Sequence, residues 1–496
     1  MSAKADKGCN MIILVILIPF IAGILVPLLP FRKRSHWEIF LECAVILNSI
    51  LVWYLLLHHS SSTFLLAYFT GDLSITFKVD GLGMIFAGLI SSLWPFATLY
   101  AFEYMTKEEH EKIFFLFYTM TYGVTLGIAL SANLLTMYFF YELLTLVTVP
   151  LVMHTLTREA ILASRAYLYY SLGGAAFAFI GLIMVIIYGT TTDFVLGGVL
   201  DLAKIGDRTN VLLFIYVMAF LGFGVKAAVC PFNSWLPQAG VAPTPVTALL
   251  HAVAVVKSGA FAIIRLTYYS FGTDFLRGTW AQTVVMLIVM FTIVYGCSRA
   301  IKETHIKRRL AYSTISNLSY ILFGAVIMTP LGLVGALCHL EFHAVMKISS
   351  FFCAGAIIHQ TERNYVHELD GMGYKMPCIF GIFTVSAFAL MGVPGLAGFI
   401  SKWNLASAAV ESGNVVAYFG IACLLISALL TAIYMLTIVV RAFFPGKDFD
   451  YGTLNGIKDP NWKMLVPLFV FTFFIVLFGI YSQPVVSFLY DVASGL

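Results

Sequence analysis

The chain has 496 residues, of which 60% are hydrophobic and only 11% are charged, and its formal net charge is +4. A soluble protein carries about 25% charged residues, so this composition excludes an ordinary soluble enzyme and indicates a protein embedded in a lipid bilayer. The apolar runs are continuous and do not alternate with polar residues, which favours membrane-spanning helices over a β-barrel.

The apolar runs predict an all-α polytopic membrane protein with about fourteen transmembrane helices. The first run lacks a small-residue cleavage site, so we expect it to be a retained span and not a signal peptide. Several runs exceed the roughly 20 residues that a span needs, which predicts tilted or interrupted helices. We number the predicted spans 1 to 14; they cover residues 11–30, 37–58, 80–102, 113–131, 133–154, 161–188, 209–230, 241–268, 279–297, 309–329, 331–359, 376–409, 414–441 and 464–489.

Basic residues are distributed unevenly between the two sides of the predicted membrane. The side reached after odd-numbered spans carries 18 of the 29 Lys and Arg residues, the opposite side carries 6, and 5 lie within spans. Cytoplasmic loops are enriched in Lys and Arg. The distribution therefore predicts that both termini lie on the external face of the membrane.

Two predicted spans contain helix-breaking residues at matching places. Span 7 is interrupted by Pro231 and Pro237, and span 12 is interrupted by Pro394 and Gly395. A single proline can be a mere packing kink, but two breaks five spans apart predict inverted five-helix repeats around a transport site. The predicted units are three N-terminal helices at 1–112, a first repeat at 113–268 (spans 4–8), a second repeat at 279–441 (spans 9–13), and a C-terminal loop with the last span at 442–496.

Ionisable residues lie within these spans, where a central charge costs about 2.5–3.5 kcal/mol on insertion scales. Glu142 lies in the middle of span 5, and Lys226 lies one turn before the break of span 7. Lys257 follows His251 by six residues in span 8, and Lys402 follows the break of span 12. Such costly residues are expected to be paired, hydrated or functional.

Span 11 carries three titratable residues on one helix face. His339, His343 and Lys347 are spaced by four residues, whereas Glu341 points elsewhere. A lysine in a medium of low dielectric constant releases its proton readily, so it can carry a proton near neutral pH. Together with the residues of spans 5, 7, 8 and 12, this face predicts a water-linked proton relay. The alternative interpretation is a static network of ion pairs that fixes helix packing.

Other charged and sulfur-containing residues receive simpler interpretations. Arg265 lies near the external end of span 8 and is expected to extend towards solvent. The basic residues from 299 to 309 are interpreted as a cytoplasmic cluster that sets topology or contacts lipid. None of the eight cysteines forms a CxxC pair, and no phosphate-binding loop or dinucleotide fingerprint stands out. We therefore expect no cofactor or metal in this chain and no nucleic-acid partner.

Several motifs carry a family resemblance that extends from about residue 80 to residue 440. They read "FYELLTLVTVPLV", "GVKAAVCPFNSWLPQAGVAPTPVTALLHAVAVVKSGAF", "HIKRRLAYSTISNLSYI", "HAVMKISSFF" and "GVPGLAGFISKW". The chain resembles the antiporter-like subunits that respiratory complex I, Mrp-type sodium/proton antiporters and membrane-bound nickel–iron hydrogenases share.

The resemblance implies a fourteen-helix fold and roles for particular residues. It assigns the central glutamate and lysine of the first half to Glu142 and Lys226, and the lysine or glutamate of span 12 to Lys402. The remaining residues that it places in the proton path are His251, Lys257, His339, His343 and Lys347.

The predicted function is translocation of H⁺, or exchange of Na⁺ for H⁺, by one subunit of a membrane complex. The resemblance implies other membrane subunits as partners, which would carry iron–sulfur clusters and a nickel–iron site or flavin if the complex is driven by redox chemistry. Two alternatives remain open: a stand-alone secondary transporter of an organic solute, and a scaffold subunit that does not pump.

Overall fold

The computed structural model describes residues 2–58, 63–71, 73–447 and 449–495, with side chains from residue 11 onward. Within these ranges, thirteen helices are long and apolar enough to cross a membrane. The chain is therefore an integral membrane protein, and most of it is helical.

The N-terminal part of the fold contains six long helices and one hairpin. The all-α prediction missed this antiparallel hairpin of β1 (Phe64–Thr70) and β2 (Leu73–Phe77), in which aromatic and β-branched residues favour strands. The two strands meet at a turn where Gly71 has a φ of 53°. The six helices are α1 (Ser2–Leu28), α2 (Arg34–Leu57), α3 (Gly81–Tyr104), α4 (Glu111–Ala129), α5 (Leu134–Val152) and α6 (Arg158–Tyr188).

The middle of the chain is less regular than the sequence predicts. The helix of span 7 ends at Gly224, six residues before the predicted end at 230, and turns follow it as far as residue 234. Span 8 is helical apart from a bend at Ala254, and π-helical turns at Leu249–Val253 and Arg265–Phe271 flank a regular helix. The helices of this region are α7 (Leu202–Ile205), α8 (Thr209–Gly224), α9 (Trp235–Gln238), α10 (Thr244–Ala248), α11 (Val255–Ile264), α12 (Thr273–Leu276) and α13 (Trp280–Lys302).

The C-terminal part contains the predicted span 12 as two helices of 15 residues each. Each is about 22 Å long, which is less than the hydrocarbon core of a bilayer. The helices separate where Gly392 and Gly395 adopt φ values of 94° and 88°, which favour glycine, on either side of Pro394. The helices of this part are α14 (Ile306–Ile327), α15 (Pro330–Thr361), α16 (Pro377–Met391), α17 (Ala397–Glu411), α18 (Val415–Phe443), α19 (Trp462–Ile480) and α20 (Gln483–Ser494).

Helix α15 lies at the centre of the packing. It contacts α3, α10, α14, α16, α17, α19 and α20. In its most apolar stretch of 18 residues, 89% of the residues are buried. The segment Thr244–Phe271 and helix α14 are also almost completely enclosed, whereas α1, α2, α18 and α19 expose much of their apolar surface. A charged residue on the inner helices is therefore shielded from lipid by protein.

The expectation that Arg265 extends towards solvent is wrong: its side chain is buried and forms an ion pair with the partly exposed Asp80. Its guanidinium is fully buried and donates two hydrogen bonds, of 2.7 and 2.6 Å, to the carboxylate of Asp80. The guanidinium carbon also lies 4.6 Å from the ring centroid of Phe194 and 4.8 Å from that of Tyr269. Asp80 in turn accepts a hydrogen bond from the N–H of Gly83 and so caps α3. The pair ties the start of α3 to the end of span 8.

We predict that Asp80→Asn destabilises the protein, because it leaves the buried guanidinium without its counter-charge. The expected loss is about 3–5 kcal/mol of unfolding free energy. Thermal unfolding in detergent would measure it, with Asp193→Asn at an exposed aspartate as the control. Equal melting temperatures for both variants would contradict the stabilising role of the pair.

The same ion pair predicts how stability depends on pH. Burial alone would raise the pKa of Asp80, but the charge and hydrogen bonds of Arg265 outweigh burial and hold that pKa below its ordinary value of 3.8. The contribution of Asp80 is therefore complete above the ordinary value and disappears only as the pH falls through the lowered pKa. In the Asp80→Asn variant, the free energy of unfolding should therefore lack the loss that protonation of Asp80 causes in the native protein at acidic pH.

Candidate functional site

Lys226 lies in the turns that follow α8 and is fully buried. Its ammonium donates a hydrogen bond to the backbone carbonyl of Tyr141 in α5 and lies 3.4 Å from the ring centroid of the same residue. The Tyr141 hydroxyl donates a hydrogen bond of 3.1 Å to the carbonyl of Phe223, which joins α5 to the end of α8. The end of α8 therefore places a cation against an aromatic face and a carbonyl oxygen.

Glu142 follows Tyr141 in α5, so it lies next to the carbonyl that accepts the hydrogen bond of Lys226. One of its carboxylate oxygens is buried without a hydrogen-bond partner in the described residues. The ion pairs of the described residues do not join Glu142 to Lys226. The structure brings the two predicted residues to neighbouring positions without a direct ion pair between their charged groups.

A connected pair of side chains links span 8 to span 11. The ammonium nitrogen of Lys257 in α11 lies 2.8 Å from Nδ1 of His343 in α15. The rings of His343 and His339 stack with centroids 5.5 Å apart. Nδ1 of His339 lies 2.9 Å from the hydroxyl of Ser401 in α17. All four residues are fully buried, so this row crosses three helices without contact with lipid.

His251 and Lys347 lie near this row but are not hydrogen-bonded to it. His251 is buried in the first π-helical turn of span 8, where its ring centroid lies 4.8 Å from that of Phe351. The ammonium of Lys347 donates a hydrogen bond of 3.1 Å to the carbonyl of Leu310 in α14. The hydroxyl of Thr314 donates to the same carbonyl at 3.0 Å.

Lys402 caps the C-terminus of α16. Its ammonium donates hydrogen bonds of 2.6 and 3.0 Å to the carbonyls of Leu390 and Met391. These carbonyls lie in the last turn of the helix, where no backbone N–H of the same helix can bond to them. The same ammonium lies 5.3 Å from the ring centroid of Tyr320 in α14, and this ring also stacks on His339. Tyr320 therefore connects Lys402 to the histidine row.

The sequence analysis missed several residues of this site. Tyr141, Tyr320 and Ser401 contact the predicted titratable groups, yet a tyrosine or serine in an apolar run gives no signal by itself. Lys307, which we assigned to the cytoplasmic basic cluster, is instead buried and donates a hydrogen bond of 2.9 Å to the carbonyl of Ala242. That carbonyl lies between α9 and α10. The prolines of span 7 predict irregular backbone in this region, and this was the signal that could have indicated a free carbonyl for a lysine.

Glu341 lies on a different face of α15 from the histidines. It lines an apolar pocket of about 530 Å³ between α2, α3, α15, α19 and α20, and one of its carboxylate oxygens is buried without a partner in the described residues. This placement agrees with the prediction that Glu341 points away from the histidine face.

Residues 131–431, more than half of the chain, match the family described as "NADH:quinone oxidoreductase/Mrp antiporter, TM". The chain belongs to this family. The resemblance predicted from its motifs is therefore confirmed, and the protein is an antiporter-like membrane subunit.

Relatives of known name come from both branches of the family. The chain is 27% identical to NAD(P)H-quinone oxidoreductase chain 4-3 of Nostoc sp., with 89% of this chain and 80% of that protein covered. It is 30% identical to a NADH-quinone oxidoreductase subunit of Desulforudis audaxviator, with 79% of each chain covered. It is 28% identical to a Na(+)/H(+) antiporter subunit of Alkalihalophilus pseudofirmus over 94% of this chain, which spans 60% of that longer protein.

Two solved structures share the fold over almost their whole length. The Mrp complex from Dietzia sp. contains a chain with a TM-score of 0.84 and 20% identity, with 99% of this chain and 97% of that chain covered. The membrane-bound sulfane sulfur reductase, an archaeal respiratory membrane complex, gives a TM-score of 0.82 and 21% identity, with 97% of each chain covered. Both relatives are parts of multi-subunit membrane complexes.

We predict that Lys402→Met loosens the junction of α16 and α17, because it removes both hydrogen bonds to the end of α16. Hydrogen exchange of the amides at 389–397 should become faster, while exchange in α15 should not change. Lys402→Arg keeps a cationic donor and should retain most of the protection. Unchanged exchange in Lys402→Met would show that the lysine does not hold this junction.

Proposed function

We propose that this protein translocates protons across the membrane as one subunit of a larger complex. The observation that carries the proposal is the row of enclosed titratable side chains formed by Lys257, His343 and His339, with Lys226 and Lys402 near its two ends. Burying so many ionisable groups is costly; Lys226, Lys257, His343 and His339 are fully enclosed by protein, and Lys402 is partly buried. A row of this kind suits stepwise proton transfer through side chains and intervening water.

Each group takes a distinct part in the proposed transfer. Lys226 holds the proton of the first half, where the neighbouring carboxylate of Glu142 sets how firmly it is held. Lys257 passes the proton to the ring of His343, and the stacked His339 passes it on towards Lys402. His251 and Lys347 border this route and exchange protons with it through water.

The proposal includes two inverted five-helix repeats, and the surroundings of two lysines support it. Lys226 lies at the break of span 7 and against the ring of Tyr141 in span 5. Lys402 lies at the break of span 12 and near the ring of Tyr320 in span 10. Both pairs are separated by five spans, so the same lysine–tyrosine contact recurs at the repeat interval. Pro231, Pro237, Pro394 and Gly395 then mark the interrupted helices that open backbone carbonyls to the ions.

We further propose the topology and the units predicted from the sequence. The basic loops face the cytoplasm, both termini face outward, and the repeats at 113–268 and 279–441 form the transport unit. The helices at 1–112 and the segment at 442–496 pack around this unit. Contacts of α15 with α3, α19 and α20 support that arrangement.

The names of the relatives support two possible energy sources. Quinone oxidoreductase relatives point to a complex driven by redox chemistry, in which partner subunits hold the iron–sulfur clusters and a flavin or nickel–iron site. Antiporter relatives point to exchange of H⁺ for Na⁺. Because the titratable row suits protons under either source, we propose H⁺ as the ion that this chain carries.

We predict that Lys226→Ala abolishes proton transport by the complete native complex reconstituted in vesicles. The substitution removes the cation at the start of the row without adding bulk, so the complex should still assemble. A pH-sensitive dye inside the vesicles would report transport, and the amounts of partner subunits that co-purify would report assembly. Lys302→Ala, at an exposed lysine, is the matched control.

Normal transport by an assembled Lys226→Ala complex would overturn the proposed function and favour a scaffold. Transport of an organic solute by the isolated chain would instead support a secondary transporter.

The topology is tested by introduced cysteines. A maleimide that cannot cross membranes should label Asp274→Cys in intact cells, because the loop between spans 8 and 9 is proposed to be external. It should label Thr304→Cys, in the loop between α13 and α14, only after permeabilisation. The reverse pattern would invert the proposed orientation.

A further inference from the structure

A second set of polar side chains lies where α13, α14 and α18 pack together. Six thiol and hydroxyl groups from α13, α14 and α18 contact one another, and each residue is at most 1% exposed. We call this set the thiol–hydroxyl array; it consists of Cys297, Ser313, Ser316, Ser427, Thr431 and Tyr434.

Cys297 is the hub of the array. Its sulfur lies 3.1 Å from the hydroxyl of Ser316, 3.0 Å from that of Ser427 and 3.6 Å from that of Thr431. The hydroxyls of Ser316 and Ser427 lie 3.1 Å apart. Buried cysteines usually pack as small hydrophobic residues, whereas this thiol is surrounded by three hydroxyl groups.

Tyr434 extends the array along α18. Its hydroxyl lies 2.7 Å from the hydroxyl of Ser313 and 3.2 Å from that of Thr431, so it can donate its one proton to one of them and accept from the other. The contacts therefore run without a gap from Ser313, through Tyr434, Thr431 and Cys297, to Ser427.

Each end of the array lies beside a lysine of the proposed path. Ser313 is three residues after Leu310 in α14, and the carbonyl of Leu310 accepts the hydrogen bond of Lys347. At the other end, the hydroxyl of Tyr320 donates a hydrogen bond of 3.1 Å to the carbonyl of Leu424, one turn before Ser427 in α18.

The ammonium of Lys402 lies 5.3 Å from the ring centroid of the same tyrosine, so a contact of each lysine lies close in sequence or space to one end of the array. Lys347 and Lys402 are not hydrogen-bonded to each other or to the histidines in the described residues; their ammonium groups donate to the backbone carbonyls of Leu310, Leu390 and Met391.

We propose that the thiol–hydroxyl array conducts protons between Lys347 and Lys402, as a branch beside the histidine row. This inference rests on the proposed function. Each hydroxyl or thiol accepts a proton from one neighbour and gives its own to the next, so one proton leaves Lys347 and one arrives at Lys402. The groups then rotate back to their starting orientation. Water relays the proton at both ends of the array, between Lys347 and Ser313 and between Tyr320 and Lys402.

The test compares deletion of a hub group with its replacement by a group that can still exchange protons. Cys297→Ala removes the hub, and the transport rate of the complete reconstituted complex should fall by about tenfold or more, within the range for positioned proton-transfer groups. Cys297→Ser keeps a donor and acceptor at the same place and should retain most of the rate. Tyr434→Phe should behave like Cys297→Ala, because it breaks the array between Thr431 and Ser313.

The control on the same helix is Thr437→Val. Thr437 is exposed, and its hydroxyl bonds only to the carbonyl of Ile433. This variant should transport at the normal rate, and all variants are compared at equal amounts of assembled complex.

Each outcome decides the proposal. Normal transport by Cys297→Ala and Tyr434→Phe would overturn the branch. Equal losses in Cys297→Ser and Cys297→Ala would also overturn it, because packing alone would then explain the effect. If Lys226→Ala blocks transport while the array variants do not, only the branch fails. If Lys226→Ala transports normally, the proposed function fails first.

Discussion

The hydrogen-bond acceptors around the lysine ammonium groups determine how this protein accommodates positive charge among its helices. Lys226, Lys347 and Lys402 donate to backbone carbonyls, and Lys257 lies against an imidazole nitrogen. A buried ammonium without acceptors would be prohibitively costly, and these neutral acceptors satisfy its hydrogen bonds. They do not cancel its charge as an adjacent carboxylate would. These lysines are therefore solvated by dipoles and form no ion pair among the described residues, whereas Arg265 is fixed by the full counter-charge of Asp80.

The irregular backbone supplies part of these acceptors, which connects the fold to the site. The last carbonyls of α16 have no hydrogen-bond donor within the helix, and the ammonium of Lys402 donates hydrogen bonds to them. The backbone between α9 and α10 offers a carbonyl to Lys307 in the same way. A straight helix in place of α16 and α17 would use its carbonyls internally and leave the lysine unsatisfied. The prolines and glycines that interrupt the predicted spans thus determine where a cation can be buried.

The sequence predicted the long helices and their order well, because membrane spans depend on the length and composition of apolar runs. It did not predict the hairpin between α2 and α3, since short strands carry a weaker signal than spans. Within the site, the four-residue spacing of His339 and His343 predicted a shared face correctly. The contact of Lys257 with His343 depends on how separate helices pack, and the pairing of Arg265 with Asp80 joins residues 185 positions apart. Such contacts leave no local pattern in one sequence.

The two halves differ in how they stabilise a proton, and this difference has a physical consequence. Under the proposed repeat, Tyr141 corresponds to Tyr320, and the next residue is Glu142 in the first half but Ile321 in the second. The first half therefore places a carboxylate beside its tyrosine, whereas the second places an apolar side chain there and stacks His339 on the tyrosine ring, with the thiol–hydroxyl array nearby. A carboxylate holds a proton on its lysine through charge, while thiols and hydroxyls hand a proton on without retaining it. We infer that the first half stores the proton and that the second half passes it along.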